Sequence, residues 1–255
     1  FEDGSTHAPS AFVTVGGNVD IAVKGVAIGV ANATLARKDT TQAYASSASL
    51  DFGGAAGTVD VKAGSEGKVT DVASFSGLSI TAIASDDVTT VAAGGAVSGQ
   101  SVAAAGSATV TMLEKQTYAF LADSVQLPNT KAATNVNLLA YDDSKVNTGA
   151  GGLAGGSSVG IGAAVDVVEV TKDLGARFAM THPLSISGNL NVQALSKEDL
   201  LSVAVGAGLS GNVGIGGAAS AFVLDLETIA AIGTLTAPAT VTVGGRVQLA
   251  APDDT

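Results

Sequence analysis

Cysteine and tryptophan are absent from this chain of 255 residues, and it has only 5 prolines and 2 histidines. Without cysteine there are no disulfides and no thiolate metal sites; that absence also suits a large exported protein that avoids mispairing. The two histidines, His7 and His182, stand far apart and supply no zinc ligand set, so no metal and no cofactor are expected. No Ser-His-Asp order, H-E-x-x-H or P-loop is present, and Gly149-Ala150-Gly151-Gly152 lacks the Lys-Ser/Thr that a phosphate-binding loop needs. Aromatic residues are 4% of the chain, which leaves few rings on which sugars or bases could stack. Lysine plus arginine number 12 against 23 acidic residues, a formal charge of -11, so no basic patch can form for nucleic acid.

The N-terminus, Phe1-Glu2-Asp3-Gly4-Ser5, has no basic region, no apolar run and no initiator Met, so a processed product or a fragment of a longer protein is expected. Three stretches carry no charge: Val88–Leu113, Val146–Val165 and Leu200–Leu224. They lack the Leu/Ile/Phe density of a membrane-spanning helix, and the chain has too few aromatics for the girdles of a membrane β-barrel. No membrane insertion is expected.

What the chain has in abundance is 46% hydrophobic residues and 33 glycines, arranged in repeats. VGIGAAVDVVEV (159–170) matches VGIGGAASAFVL (213–224) at an offset of 54, and Val102 lies 57 residues before Val159. VTVGGNVDIA (13–22) matches VTVGGRVQLA (241–250) at an offset of 228, four times 57. Inside these modules short alternating segments recur: VDI (19–21), VDV (59–61), LSI (78–80), VNL (136–138), LNV (190–192) and VQL (247–249). Their start-to-start spacings of 40, 19, 58, 54 and 57 lie near multiples of 19. Apolar–polar alternation means short half-buried strands, and paired glycines such as Gly94-Gly95 and Gly151-Gly152 read as corners.

This pattern predicts an all-β fold: a right-handed parallel β-solenoid of about 13 rungs, each of about 19 residues, forming a rod of roughly 60 Å. Residues 1–12 read as a flexible lead, and residues 13–255 as a single solenoid segment with 54–57-residue coarse repeats. Two Ig-like sandwiches would show bulky core aromatics and no 57-residue similarity. A helical reading fails because Gly and β-branched residues interrupt the Ala-rich runs.

The segments SDDVTTVAAGGAVSGQSVAAAGSATVTMLEKQTYAFL (85–121) and KEDLLSVAVGAGLSGNVGIGGAASAFVLDLETIAAI (197–232) resemble repeats of large bacterial surface proteins. These are filamentous adhesins of the haemagglutinin and leukotoxin-like exoprotein type, including autotransporter and two-partner-secretion passengers. Glu114–Phe120 and Asp39–Tyr44 come close to that family's polar–aromatic strand ending, whereas Ala176-Arg177-Phe178 and Ala230-Ala231-Ile232 lose it. The resemblance implies an exported, extracellular or cell-surface segment, structural or adhesive in filaments or biofilm matrix, and not an enzyme.

Candidate chemistry is sparse. The pairs Asp86-Asp87, Asp142-Asp143 and Asp253-Asp254 follow equivalent strands and read as solvated corners, with weak calcium binding or catalysis as the alternatives. No catalytic, cofactor-binding or metal-binding residue is assigned. Thr109-Val110-Thr111 and Thr240-Val241-Thr242 would suit an ice-binding ladder, but the matching rungs carry Val165-Asp166-Val167 and Ala221-Phe222-Val223. A polysaccharide lyase or hydrolase is the alternative function, favoured by an Asp, Lys and Arg cluster in one lateral groove. An evenly charged exterior with flat small-residue faces would favour the adhesin. The expected partners are further copies of the chain, end to end more than side by side, or a host or cell-surface ligand.

Overall fold

The computed structural model describes residues 10–50, 58–65, 68–123, 125, 134–180, 183–233 and 240–254. Every described element is a strand. In chain order these are β1 (Ser10–Ala22), β2 (Ala27–Ala45), β3 (Val59–Ser65), β4 (Lys68–Phe75), β5 (Gly77–Ser98), β6 (Val102–Leu121) and β7 (Asn135–Gly156). They continue as β8 (Val159–Phe178), β9 (Leu184–Ile186), β10 (Leu190–Ser210), β11 (Val213–Ile232), β12 (Val241–Val243), β13 (Val247–Ala250) and β14 (Asp253–Asp254). Ser10, Ala11 and Phe12, expected in a flexible lead, belong to β1; residues 1–9, with His7, and also His182 and Gly53-Gly54 lie outside the described residues.

Strands of about 20 residues stack in parallel in two sheets. The first has the order β1-β5-β7-β10-β13, with β14 also on β10; the second has the order β11-β8-β6-β2. The chain alternates between the sheets through short links, Gly99-Gln100-Ser101 between β5 and β6 and Ser157-Ser158 between β7 and β8. Longer connections return it at the opposite end, where β9 and β12 pair as a narrow third side. Leu78, Val136, Leu190 and Val247 share one column of the first sheet, as their apolar phase requires.

The stacking repeat corrects the 19-residue period. Paired residues are separated by 58 (Leu78 and Val136), 54 (Val136 and Leu190) and 57 (Leu190 and Val247), and none of the described pairings joins residues 19 apart in neighbouring turns of the stack. One level therefore uses a whole coarse repeat. The described chain makes four such levels and the start of a fifth, instead of 13 rungs. Between β1 and β5 the separation grows to 76, because β3 and β4 form an antiparallel hairpin inserted between the first two levels. That hairpin removes Val59 from the expected column, where it pairs with Phe75, and Val19 is displaced to pair with Gly95.

With these proportions the stack is a plate, not a rod: roughly 66 Å along a 20-residue strand and roughly 20 Å through four levels. Alternation decides what fills it. In β6 the odd-numbered residues from Ala103 to Leu121 face the opposite sheet and are buried, while the even-numbered ones face outward. The interior widens from the short links toward the long connections. Alanines Ala27, Ala96, Ala103, Ala105 and Ala154 fill the narrow end, then Val88, Leu113, Val146, Val168 and Val170. Ile80, Leu121, Leu138, Phe178, Met180 and Leu190 fill the broad end beside β9.

Most paired glycines are not corners, contrary to expectation. Gly94, Gly152 and Gly206 form one inward column inside β5, β7 and β10. A Cβ on Gly94 would run into the Gly106 carbonyl of the facing sheet, and one on Gly152 into that of Ala163. Close backbone approach, not a turn, selects glycine there. A true corner is Gly25, whose φ of 98° is costly for other residues.

Candidate functional site

The inward phase of the long strands brings ionisable residues into the middle of the interior. In the second sheet Asp39, Lys115 and Lys172 occupy one column, on β2, β6 and β8. In the first sheet Asp86, Ser144 and Glu198 form a column on β5, β7 and β10, beside a column holding Ala84, Asp142 and Ser196. The lysines would stand one strand spacing apart, and each instead inserts between carboxylates of successive levels.

Lys115 Nζ lies 2.6 Å from Asp86 and 2.9 Å from Asp142, and also donates to Ser144 Oγ at 3.1 Å. Lys172 Nζ lies 2.7 Å from Asp142 and pairs with Glu198 as well, with a further bond to the Lys197 carbonyl at 3.2 Å. At the first level Arg37 reaches Asp86 at 2.8 Å, pairs with Asp39, and stacks 3.8 Å over the Phe12 ring. The side chains of Lys115 and Lys172 are only 3% and 2% exposed, so this ladder of alternating charge runs through the core along the stacking direction.

The surroundings complete it. Thr117 and Ser144 hydroxyls donate to Asp142 at 3.1 and 2.9 Å, and Ser196 Oγ donates to Glu198 at 2.6 Å. Burial pushes Asp142 up, yet Lys172 and Lys115 outweigh it and hold its carboxyl below the usual aspartate range. Glu198 is raised, chiefly by burial; Lys172 and Ser196 oppose the shift and a hydrogen bond with Asp253 adds to it.

Another buried acid, Asp166, is held by hydroxyls: Thr109, Thr148 and Ser202 all donate to it. Thr109 and Thr111 are fully buried, so this Thr-x-Thr pair faces the interior and forms no outer ladder.

Two of the three aspartate pairs are thus not solvated corners. Asp86 and Asp142 are buried within strands, while Asp87 and Asp143 point outward; only Asp253-Asp254, in β14, is exposed. Asp142 and Asp253 share a register position, each paired to Ser196, whereas Asp86 sits one inward step away. Among the described residues no three His, Cys, Asp or Glu gather as a metal-holding group.

Sequence reasoning passed over Arg37, Lys115, Lys172, Glu198 and Asp166. The available signal was phase: Lys115 alternates with Leu113 and Thr117, and Lys172 with Val170 and Leu174, at the 57-residue offset. The ladder is reached from outside through a cleft of about 390 Å³ at the first level, lined by Ser10, Arg37, Asp39, Asp86, Lys115 and Thr117 among others. Every cation in it already faces at least one carboxylate, an arrangement suited to holding strands in register more than to binding a charged ligand.

No family model, no curated protein and no solved structure matches this chain. Among the described residues no helix is long and apolar enough to cross a membrane, which leaves strand-built crossings unaddressed.

Proposed function

We propose that the chain is a structural and adhesive segment of an exported bacterial surface or extracellular matrix protein, winding as a right-handed parallel β-solenoid with one turn per 54–57-residue repeat. The observation that carries this reading is the unbroken parallel register through Leu78, Val136, Leu190 and Val247. Such a stack grows by adding like levels, which suits extension of a surface and self-association. The resemblance of residues 85–121 and 197–232 to large-adhesin repeats points the same way. Protease shaving of intact cells producing the parent protein tests it. Release of peptides from this segment without lysis is expected, and their recovery only after lysis would refute surface exposure.

A second reading, a polysaccharide lyase or hydrolase, draws on the cleft where Arg37, Asp39, Asp86 and Lys115 meet. The expected outcome is no turnover of uronate or neutral polysaccharides. Cleavage abolished by Asp86→Asn or Asp142→Asn would establish the enzyme instead.

A further inference from the structure

The three uncharged stretches of sequence are not scattered in space. Each runs from the second half of one long strand, through a short link, into the next; Val146–Val165 stops within the first half of β8, while Val88–Leu113 and Leu200–Leu224 reach the same register position just past the middle of β6 and β11. Stacking brings them together as one half of the plate, and the charged ladder lies in the rest. The outward face of the first sheet in this half is a grid of five columns on four strands. Val13, Thr89, Asn147 and Leu201 form the first column, and Val15, Val91, Gly149 and Val203 the second. Gly17, Ala93, Gly151 and Val205 follow, then Val19, Gly95, Leu153 and Ala207, then Ile21, Val97, Gly155 and Leu209.

No member of the grid is charged, and only Thr89 and Asn147 are polar. The large members are exposed at every level: Val15 72%, Val97 50%, Leu153 55% and Val205 58%. Isolated exposed apolar residues need no explanation, but a contiguous apolar face does.

We infer that this face binds the same face of a second copy of the chain, sheet against sheet, in a two-fold symmetric dimer. The inference deepens the proposed self-association, and rests on it only for the choice of another copy as partner. Three features support that occupant. The grid measures about 33 by 19 Å, so two copies would bury about 1,200 Å², the lower bound for a specific stable interface. Its Gly, Ala and Val side chains have low relief and little rotamer freedom, so flat sheets can close with small entropic loss. The chain's net charge of -11 resides outside the grid, so two copies can approach here without opposing like charges across the contact. A lipid surface is the poorer occupant, because the free edges of the same sheet, β1 and the second half of β10, would carry unpaired backbone groups into hydrocarbon. The order of contacts expected from the sequence is thereby reversed, with the lateral contact ahead of end-to-end stacking.

Sedimentation velocity of the full chain tests the inference, across micromolar concentrations and from low to high salt. A discrete dimer that persists at low salt is expected. Val91→Lys combined with Val203→Lys should return it to monomer with an unchanged far-UV spectrum, whereas Val165→Lys, on the outward face of the other sheet, should leave the dimer intact. A second measurement uses the absence of native cysteine: Ala93→Cys, near the centre of the grid, should form an interchain disulfide on mild oxidation, and Val165→Cys should not. A strictly monomeric chain would overturn the inference. So would assemblies that lengthen with concentration and ignore the double lysine variant, or uptake of monomer by neutral phosphatidylcholine vesicles in preference to dimerisation. None of these results bears on surface exposure, which the protease experiment reads separately.

Discussion

Lys115 occupies a position where truncation and replacement have different consequences. Its ammonium bridges Asp86 and Asp142; without it Asp86 keeps only Arg37 and Asp142 only Lys172, and the buried ladder gains one uncompensated negative charge. Lys115→Ala is expected to cost about 3 kcal/mol, the low end for breaking a buried pair, because each carboxylate retains a cation. A denaturant titration reads this as a lower midpoint with an unchanged slope. The acids on either side of Lys172 respond to pH with opposite signs. Asp142 has a lowered pKa in the fold, so its stabilising contribution is present above the ordinary aspartate value and is lost as pH falls through the lowered one. Glu198 has a raised pKa, so its proton is held more tightly in the fold, and its contribution declines as pH rises from the ordinary glutamate value through the raised one. Thermal melts between pH 3 and 7 should therefore show Asp142→Asn removing stability chiefly at neutral pH, with Glu198→Gln much milder there. Equal losses from both at pH 7 would contradict the assignment.

The strands and their stacking were largely legible in the sequence; the size of a level was not. Alternation in LSI, VNL, LNV and VQL fixes an apolar phase, and the 54–57-residue offsets reappear directly in the register. The finer period failed because VDV (59–61), which supplied the only spacing of 19, belongs to the inserted hairpin. Three times 19 equals the true repeat, so the arithmetic could not separate one coil from three. The ladder was hidden for a different reason. Lysine in an alternating strand has the same pattern whether it faces solvent or a carboxylate from a distant level. Glycine was ambiguous in the same way, since a corner and a close approach both exclude a Cβ. Inward and outward positions now separate the two cases. Gly152→Val would collide with the facing backbone and should cost about 3 kcal/mol or more, while Gly106→Val, on the outward face of β6 with open space outside it, should change stability by roughly 0.5 kcal/mol or less. Replacing Val59–Phe75 with a short glycine linker should preserve the parallel β spectrum and cooperative melting. The hairpin does cap Asn137, which donates to the Lys62 carbonyl at 2.9 Å, so a modest fall in melting temperature is expected.

At the scale of the whole molecule, a level of 57 residues that rises by only one strand spacing stores a great deal of chain in little height. Pulled along the stacking direction, the plate would be loaded at its outermost strands, where hydrogen bonds open one after another as in a zipper. One released level would pay out roughly 190 Å of extended chain in exchange for about 4.8 Å of folded height. In single-molecule stretching the expected trace is a series of force drops separated by contour-length gains near that value. A gain near one third of it would restore the smaller coil. Under shear the segment would act as an extensible tether, lengthening about fortyfold per level before the covalent backbone bears the load.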